Sequence, residues 1–258
     1  MDNTIVVKCG GSILAELTDS FFQSIKELQK QGNKVVIVHG GGPEIESMLT
    51  SLAIESEFVN GLRKTTPEVM EVVEMVLSGN VNKKLVSTLT NHGMKAVGLS
   101  GVDGDLLKAT SIDEQTLGLV GKVQQIDIKL IDMLLQVDYI PVISPIAVNV
   151  SGGKLNINAD TAAASIAEAL HAKHLLFVTN VPGILKDGSL IEEVSTEGVK
   201  NLIADGTIFG GMIPKVDAAL SALSAGLNEV MIVSGKESLV SLNGNLAGTK
   251  LTKELEAV

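Results

Sequence analysis

Short apolar runs rich in β-branched residues alternate along this chain with longer stretches whose apolar positions recur every three or four residues. Residues 4–7, 34–38, 95–100, 139–144, 174–179 and 229–233 read as buried strands. Residues 17–30 have apolar side chains at 17, 21, 25 and 28 and stop before Gly32, the pattern of a helix ended by glycine. Residues 45–52, 127–137, 161–170, 195–205 and 216–225 are read as helices, as is a longer stretch that Thr66 caps and Pro67 opens, running to about residue 92. Alternating strands and helices predict an open parallel α/β sheet. The remaining segments read as a polar turn over residues 60–67, a turn over 101–105, a hairpin-bearing insertion over 106–126 that fits a substrate lid, and a late strand near 249–251. Pro141 belongs near the start of its strand or on a sheet edge.

In such a sheet, ligands bind beyond the carboxyl ends of the strands, so the residues that follow each strand deserve the chemistry. The first strand runs into Lys8-Cys9-Gly10-Gly11-Ser12, and the second into His39-Gly40-Gly41-Gly42-Pro43. Glycines let backbone N–H groups approach phosphate oxygens, and the second loop adds a helix N-terminus. A third such turn, Gly210-Gly211-Met212-Ile213-Pro214-Lys215, puts a lysine where it opposes the helix dipole by roughly 0.3–1 kcal/mol. Fold stability does not explain that lysine; an anion does. Arg63 precedes the helix at Pro67 and suits either a carboxylate clamp or a surface ion pair. If residues 156–160 are extended, Asn156, Asn158 and Asp160 share one face, although Asp160 also suits a helix cap.

Composition narrows the chemistry. Thirty acidic residues against 20 basic ones, a formal charge of −10, one Tyr and no Trp argue against a nucleic-acid surface. A single cysteine, Cys9, excludes an intramolecular disulfide, fits a reducing cytoplasm and reads as core packing. No signal-peptide pattern opens the chain, and the uncharged run 139–153 is too short and too polar to span a bilayer, so a soluble protein away from membranes is expected. The P-loop, the dinucleotide fingerprint, the protein-kinase strings and the G-x-S-x-G elbow are missing, and the four histidines are scattered, which leaves no zinc pattern. What remains is two lysines, glycine donors, an arginine and an aspartate with no evident general base. That set suits phosphoryl transfer to a carboxylate, which with a pKa of about 4 is already ionised at neutral pH.

The ordered motifs K-C-G-G-S at 8–12, H-G-G-G-P at 39–43, G-L-R-K-T at 61–65, N-I-N-A-D at 156–160 and G-G-M-I-P-K at 210–215 resemble the amino-acid kinase family over essentially the whole chain. Within it they are most similar to the branch acting on an acylated glutamate. The resemblance implies a three-layer αβα sandwich around a mostly parallel, eight-stranded sheet. It implies one domain, with an acylamino-acid-binding lobe over about 1–172 and an ATP-binding lobe over about 173–258. The implied reaction moves the γ-phosphoryl of ATP, with Mg²⁺ held through the nucleotide phosphates and no dedicated metal site, to the γ-carboxylate of N-acetyl-L-glutamate.

By the same resemblance Lys8 and Lys215 stabilise the transition state and Asp160 organises both. Gly10 and Gly11 face phosphate, while Gly41, Gly42, Arg63 and Asn156 hold the acceptor, with Asn158 behind them. Thr179, Asn180, Val181, Gly183, Ile184, Thr207, Ile208 and Phe209 take the nucleotide. Asn180 stands where the family often has Asp, and Val102 where relatives often have Lys. With the first strand at Thr4, the N-terminal helix of the arginine-inhibited hexameric members has no room, so an arginine-insensitive homodimer is expected. Kinases of this fold that act on carbamate, aspartate, free glutamate or uridylate would share Lys8, Gly10 and Gly11. A catalytically silent amino-acid sensor is the alternative from another class.

Overall fold

The computed structural model describes residues 3–227, 229–241 and 243–253. The chain runs Thr4–Cys9 (β1), Asp19–Lys30 (α1), Lys34–His39 (β2), Gly42–Ser51 (α2) and Pro67–Glu74 (α3). A π-helical turn at Met75–Val81 leads into Asn82–Asn91 (α4), Ala96–Ser100 (β3), Leu107–Ser111 (β4), Val120–Ile126 (β5) and Lys129–Gln136 (α5). Ile140–Ser144 (β6), Ile146–Val148 (β7), Lys154–Ile157 (β8), Ala159–Ala169 (α6) and His174–Thr179 (β9) follow. Glu193–Ser195 (β10), Thr196–Ala204 (α7), Ile213–Ala225 (α8), Glu229–Ser234 (β11) and Thr249–Thr252 (β12) complete it.

Eight strands form one sheet in the order β10-β12-β11-β9-β1-β2-β6-β3, antiparallel at β11–β12 and parallel elsewhere. β1 is buried along its whole length between β9 and β2, and Lys8 stands opposite Phe177 and Val38. Side chains alternate across a strand, so Ile5, Val7 and Cys9 point one way and Val6 and Lys8 the other. The first set packs with Phe21, Ile25, Leu85 and Leu89 of α1 and α4. Val6 packs among Ala162, Ala163, Val216 and Ala219 of α6 and α8. Lys8 therefore lies on the face that carries Asp160 and Lys215, and the small alanines let both helices close on it. The result is the three-layer α/β sandwich with a mostly parallel sheet.

Three segments differ from the sequence reading. Residues 60–67 are not a plain turn, because Phe58–Val59 and Leu62–Arg63 pair as a hairpin around Asn60-Gly61, both at positive φ, 50° and 79°. Asn-Gly is the residue pair that such a turn selects. The insertion's β4 and β5 do form an antiparallel hairpin, but β7 and β8 close it into a four-stranded barrel instead of leaving a free flap. Leu107, Ala109, Ala147 and Leu155 fill that barrel's buried positions. Pro141 is the second residue of β6, an internal strand, so its start and not an edge accommodates it.

The extended reading of 156–160 fails after Ile157. Asn158 caps α6 instead, its side chain accepting from the backbone N–H groups of Asp160 at 2.9 Å and Thr161 at 3.1 Å. A short side-chain oxygen satisfies otherwise orphaned helix donors, which outweighs continuing the strand. Asp160 thus sits in the first turn of a helix, not on a strand face with Asn156. Among the described residues no helix is long and apolar enough to cross a membrane.

Candidate active site

Two glycine loops meet at the carboxyl end of the sheet. A Cβ on Gly11 would lie 2.6 Å from the backbone N of Gly42 and 2.9 Å from that of Gly41, and the Gly40 N–H donates to the Cys9 carbonyl at 2.9 Å. Such contact tolerates no side chain at 11. Gly10 precedes the short helical turn Gly11–Leu14, and a Cβ there would come within 3.4 Å of the Lys8 ammonium.

Lys8 is 9% exposed, and its Nζ meets Asp160 Oδ1 at 2.7 Å. Lys215 stands in the first turn of α8, where its ammonium donates to the Gly211 carbonyl at 3.1 Å. Partial burial first, and then the positive charge of Lys8, holds Lys215 below the usual lysine range, while Asp160 pulls it back up. The sequence reading had Asp160 holding both lysines; the direct ion pair is to Lys8, and Lys215 senses the same carboxylate through space. Two ammonium groups against one carboxylate leave one net positive charge at this spot.

On one side of that charge lies a cavity of about 190 Å³ lined by Gly41, Gly42, Arg63, Asn156 and Asn158, with Val120 of the barrel as a further wall. Arg63 is 8% exposed. Its guanidinium donates to Glu46 Oε2 at 2.6 Å, to Ser56 Oγ and to the Gly42 carbonyl at 3.3 Å, and lies 4.5 Å above the centre of the Phe58 ring. Hydrogen bonds from Arg63 and Ser56 hold the Glu46 carboxyl below its ordinary range. Arg63 is thus in an ion pair with Glu46, but a buried one and not at the surface, and it also walls the cavity. Three of its five N–H donors are engaged by these partners. Asn156 is fixed by donating to Thr65 Oγ1 at 3.1 Å.

On the other side lies a cavity of about 400 Å³. All eight residues read as nucleotide-binding, Thr179, Asn180, Val181, Gly183, Ile184, Thr207, Ile208 and Phe209, line it, and so does Lys215. Thr179 pins its turn by bonding both the carbonyl and the N–H of Val181, at 2.8 and 3.2 Å. Phe209 is 73% exposed, an apolar face held open to solvent beside the cavity.

Residues 3–234 match the amino acid kinase family. The chain belongs to the amino acid kinase family. An acetylglutamate kinase of Geobacillus thermodenitrificans is 59% identical over 257 residues, spanning 100% of this chain and 99% of that relative. One of Bacillus licheniformis is 49% identical over 258 residues and the full length of both. The crystal structure of a Streptococcus mutans protein, 33% identical, superposes with a TM-score of 0.85 over 98% of this chain and 100% of that one.

Sequence reasoning missed several residues of this amino acid kinase's site. Glu46 and Ser56 orient Arg63, and Thr65 orients Asn156, but partners 17, 7 and 91 residues apart leave no local pattern. Thr249 accepts from the Ile184 N–H at 2.8 Å and fixes one wall of the larger cavity, held there by the pairing of β12 with β10 and β11. Gly211 and Met212 also line that cavity, and the G-G-M-I-P-K motif did offer a signal for them. Cys9 is inert: burial pushes its thiol up to about 12.

Proposed function

We propose that this amino acid kinase transfers the γ-phosphoryl group of ATP to the γ-carboxylate of N-acetyl-L-glutamate, giving an acyl phosphate and ADP. The reading is carried by one arrangement, the Lys8–Asp160 pair with Lys215 beside it, standing between a small arginine-bearing cavity and a larger one. Its acceptor is taken from relatives that are acetylglutamate kinases.

In the reaction a γ-carboxylate oxygen attacks the γ-phosphorus as the bond from that phosphorus to the oxygen of ADP breaks. The carboxylate is already ionised, so no base is required. The obstacle is repulsion: two unit negative charges at 4 Å and an effective dielectric near 20 cost about 4 kcal/mol. Lys8, reaching up from the sheet, and Lys215, from the helix on the nucleotide side, offset that repulsion where charge spreads over the transferring group. N–H groups of the Gly10-Gly11 and Gly41-Gly42 loops add donors, and Arg63 with Asn156 holds the acceptor's α-carboxylate and acetamido group. Phe209 offers an apolar face to the base of the nucleotide. Mg²⁺ bound to the ATP phosphates would supply further neutralisation of their charge; Asp160 already pairs with Lys8, which fits an ion that would be held mainly by phosphates and water. The lining supports a division near residue 172, because the smaller cavity draws on residues 40–159 and the larger on 179–215.

The test is ATP turnover with N-acetyl-L-glutamate, L-glutamate, N-acetyl-L-aspartate and L-aspartate, with hydroxylamine trapping the acyl phosphate. The reading expects hydroxamate with N-acetyl-L-glutamate well above the other three. Equal turnover of free glutamate, or binding without hydroxamate, overturns it.

A further inference from the structure

We propose that Asn82 and His39 form a buried positioning pair that holds the Gly40 carbonyl and thereby sets the acceptor-side glycine loop, a role that rests on the phosphoryl-transfer reading of that loop. His39 ends β2 and Asn82 opens α4 straight after the π-helical turn, and both are 0% exposed. Neither was singled out from the sequence for any role of its own.

The Asn82 amide nitrogen faces three acceptors, the Val142 carbonyl at 2.8 Å, His39 Nε2 at 3.1 Å and the Leu99 carbonyl at 3.2 Å, while its oxygen accepts from Lys83 Nζ at 3.1 Å. Reversing the amide would set oxygen against two carbonyls and nitrogen against an ammonium, so this orientation is the one the surroundings permit. His39 Nε2 must then be bare and accepting. The ring proton sits on Nδ1 and is donated to the Gly40 carbonyl at 2.9 Å. Burial lowers His39 to about 4, so the ring stays neutral and keeps one defined tautomer.

The consequence lies one residue further on. The Gly40 carbonyl is turned to a buried ring, and Gly40 with the residues that follow, Gly41 and Gly42, lines the acceptor cavity beside Arg63. A carbonyl released from His39 would place a negative dipole in a loop that receives anions. β3 is shaped around the amide: a Cβ on Gly98 would lie 1.9 Å from Asn82 Oδ1. Four elements, β2, β3, β6 and α4, thus converge on one side chain that touches no substrate.

Two measurements test this. Nitrogen-15 and carbon-13 NMR of histidine-labelled protein at pH 7 should show His39 as the Nδ1–H tautomer; the Nε2–H form overturns the proposal whatever the acceptor is. Steady-state kinetics then compare three variants. His39→Asn keeps a donor near the Nδ1 position, His39→Gln moves the amide to the Nε2 position, and Gly98→Ala displaces the Asn82 amide together with the Lys83 ammonium beside it while leaving both residues of the pair in the sequence. His39→Asn should stay within roughly threefold of the parent, whereas His39→Gln and Gly98→Ala should lose about tenfold or more in kcat/KM for the acceptor with the KM for ATP nearly unchanged. If all three lose activity in proportion to their melting temperatures, the pair is packing alone and the proposal fails. A parent inactive on N-acetyl-L-glutamate would instead refute the proposed reaction, and the tautomer result would stand apart from it.

Discussion

Asp160 carries one negative charge against two ammonium groups and pairs with Lys8 at 2.7 Å, and in the proposed reaction that pair sets the electrostatics around the transferring group. Lys215 is already held below the usual lysine range by burial and by Lys8, with Asp160 opposing both. Asp160→Asn removes the opposing attraction, so Lys215 should lose its proton at still lower pH. The alkaline limb of the pH–kcat profile should move down, and an unmoved limb contradicts the assignment. The sign for stability is the reverse of the catalytic need. A lysine whose native pKa lies below its unfolded value costs stability while charged, and that cost is relieved only as pH rises past the native pKa. Lys215→Met should therefore melt no lower than the parent at pH 7 while losing activity, as thermal unfolding beside a turnover assay will show. Cys9, with its thiol pushed up to about 12, should resist thiol reagents at pH 8 in the native protein and react only on unfolding, a difference that mass spectrometry reads directly.

At the scale of elements, caps separate stability from function. Thr66 Oγ1 accepts from the Val69 N–H at 3.3 Å at the start of α3, and Asn158 does the same job for α6. Replacing either by Ala should cost about 1 kcal/mol in denaturant unfolding. Only Asn158→Ala should also depress kcat, because α6 presents Asp160; equal kinetic effects from both would contradict that. The Thr66-Pro67 start, the parallel strands and the glycine loops were legible because each rests on local chemistry: a cap, a β-branched run, a backbone that needs no Cβ. The polar stretch 156–160 misled because an asparagine after a strand can continue it or cap the next helix, and the hydrogen-bonding demand of α6 decided. The Asn60-Gly61 hairpin was written in its turn residues and overlooked. By contrast, Glu46 beneath Arg63 and the barrel that closes β4 and β5 with β7 and β8 are long-range pairings, and no spacing announces them.

Across the whole molecule, the formal charge of −10 makes the site's local positive charge more conspicuous: cations are gathered where, in the proposed reaction, two anionic substrates meet. The period of β1 explains the gathering, since Lys8 shares a face with Val6 and that face receives both α6 and α8. In the proposed reaction Lys8 and Lys215 together offset the repulsion between phosphoryl group and carboxylate. That joint role is tested most directly by kcat for Lys8→Ala and Lys215→Ala at saturating ATP and N-acetyl-L-glutamate. Loss of about 3 kcal/mol of transition-state stabilisation predicts a fall on the order of a hundredfold in each, with the melting temperature close to the parent's. Turnover within a factor of about three of the parent in either variant would contradict it.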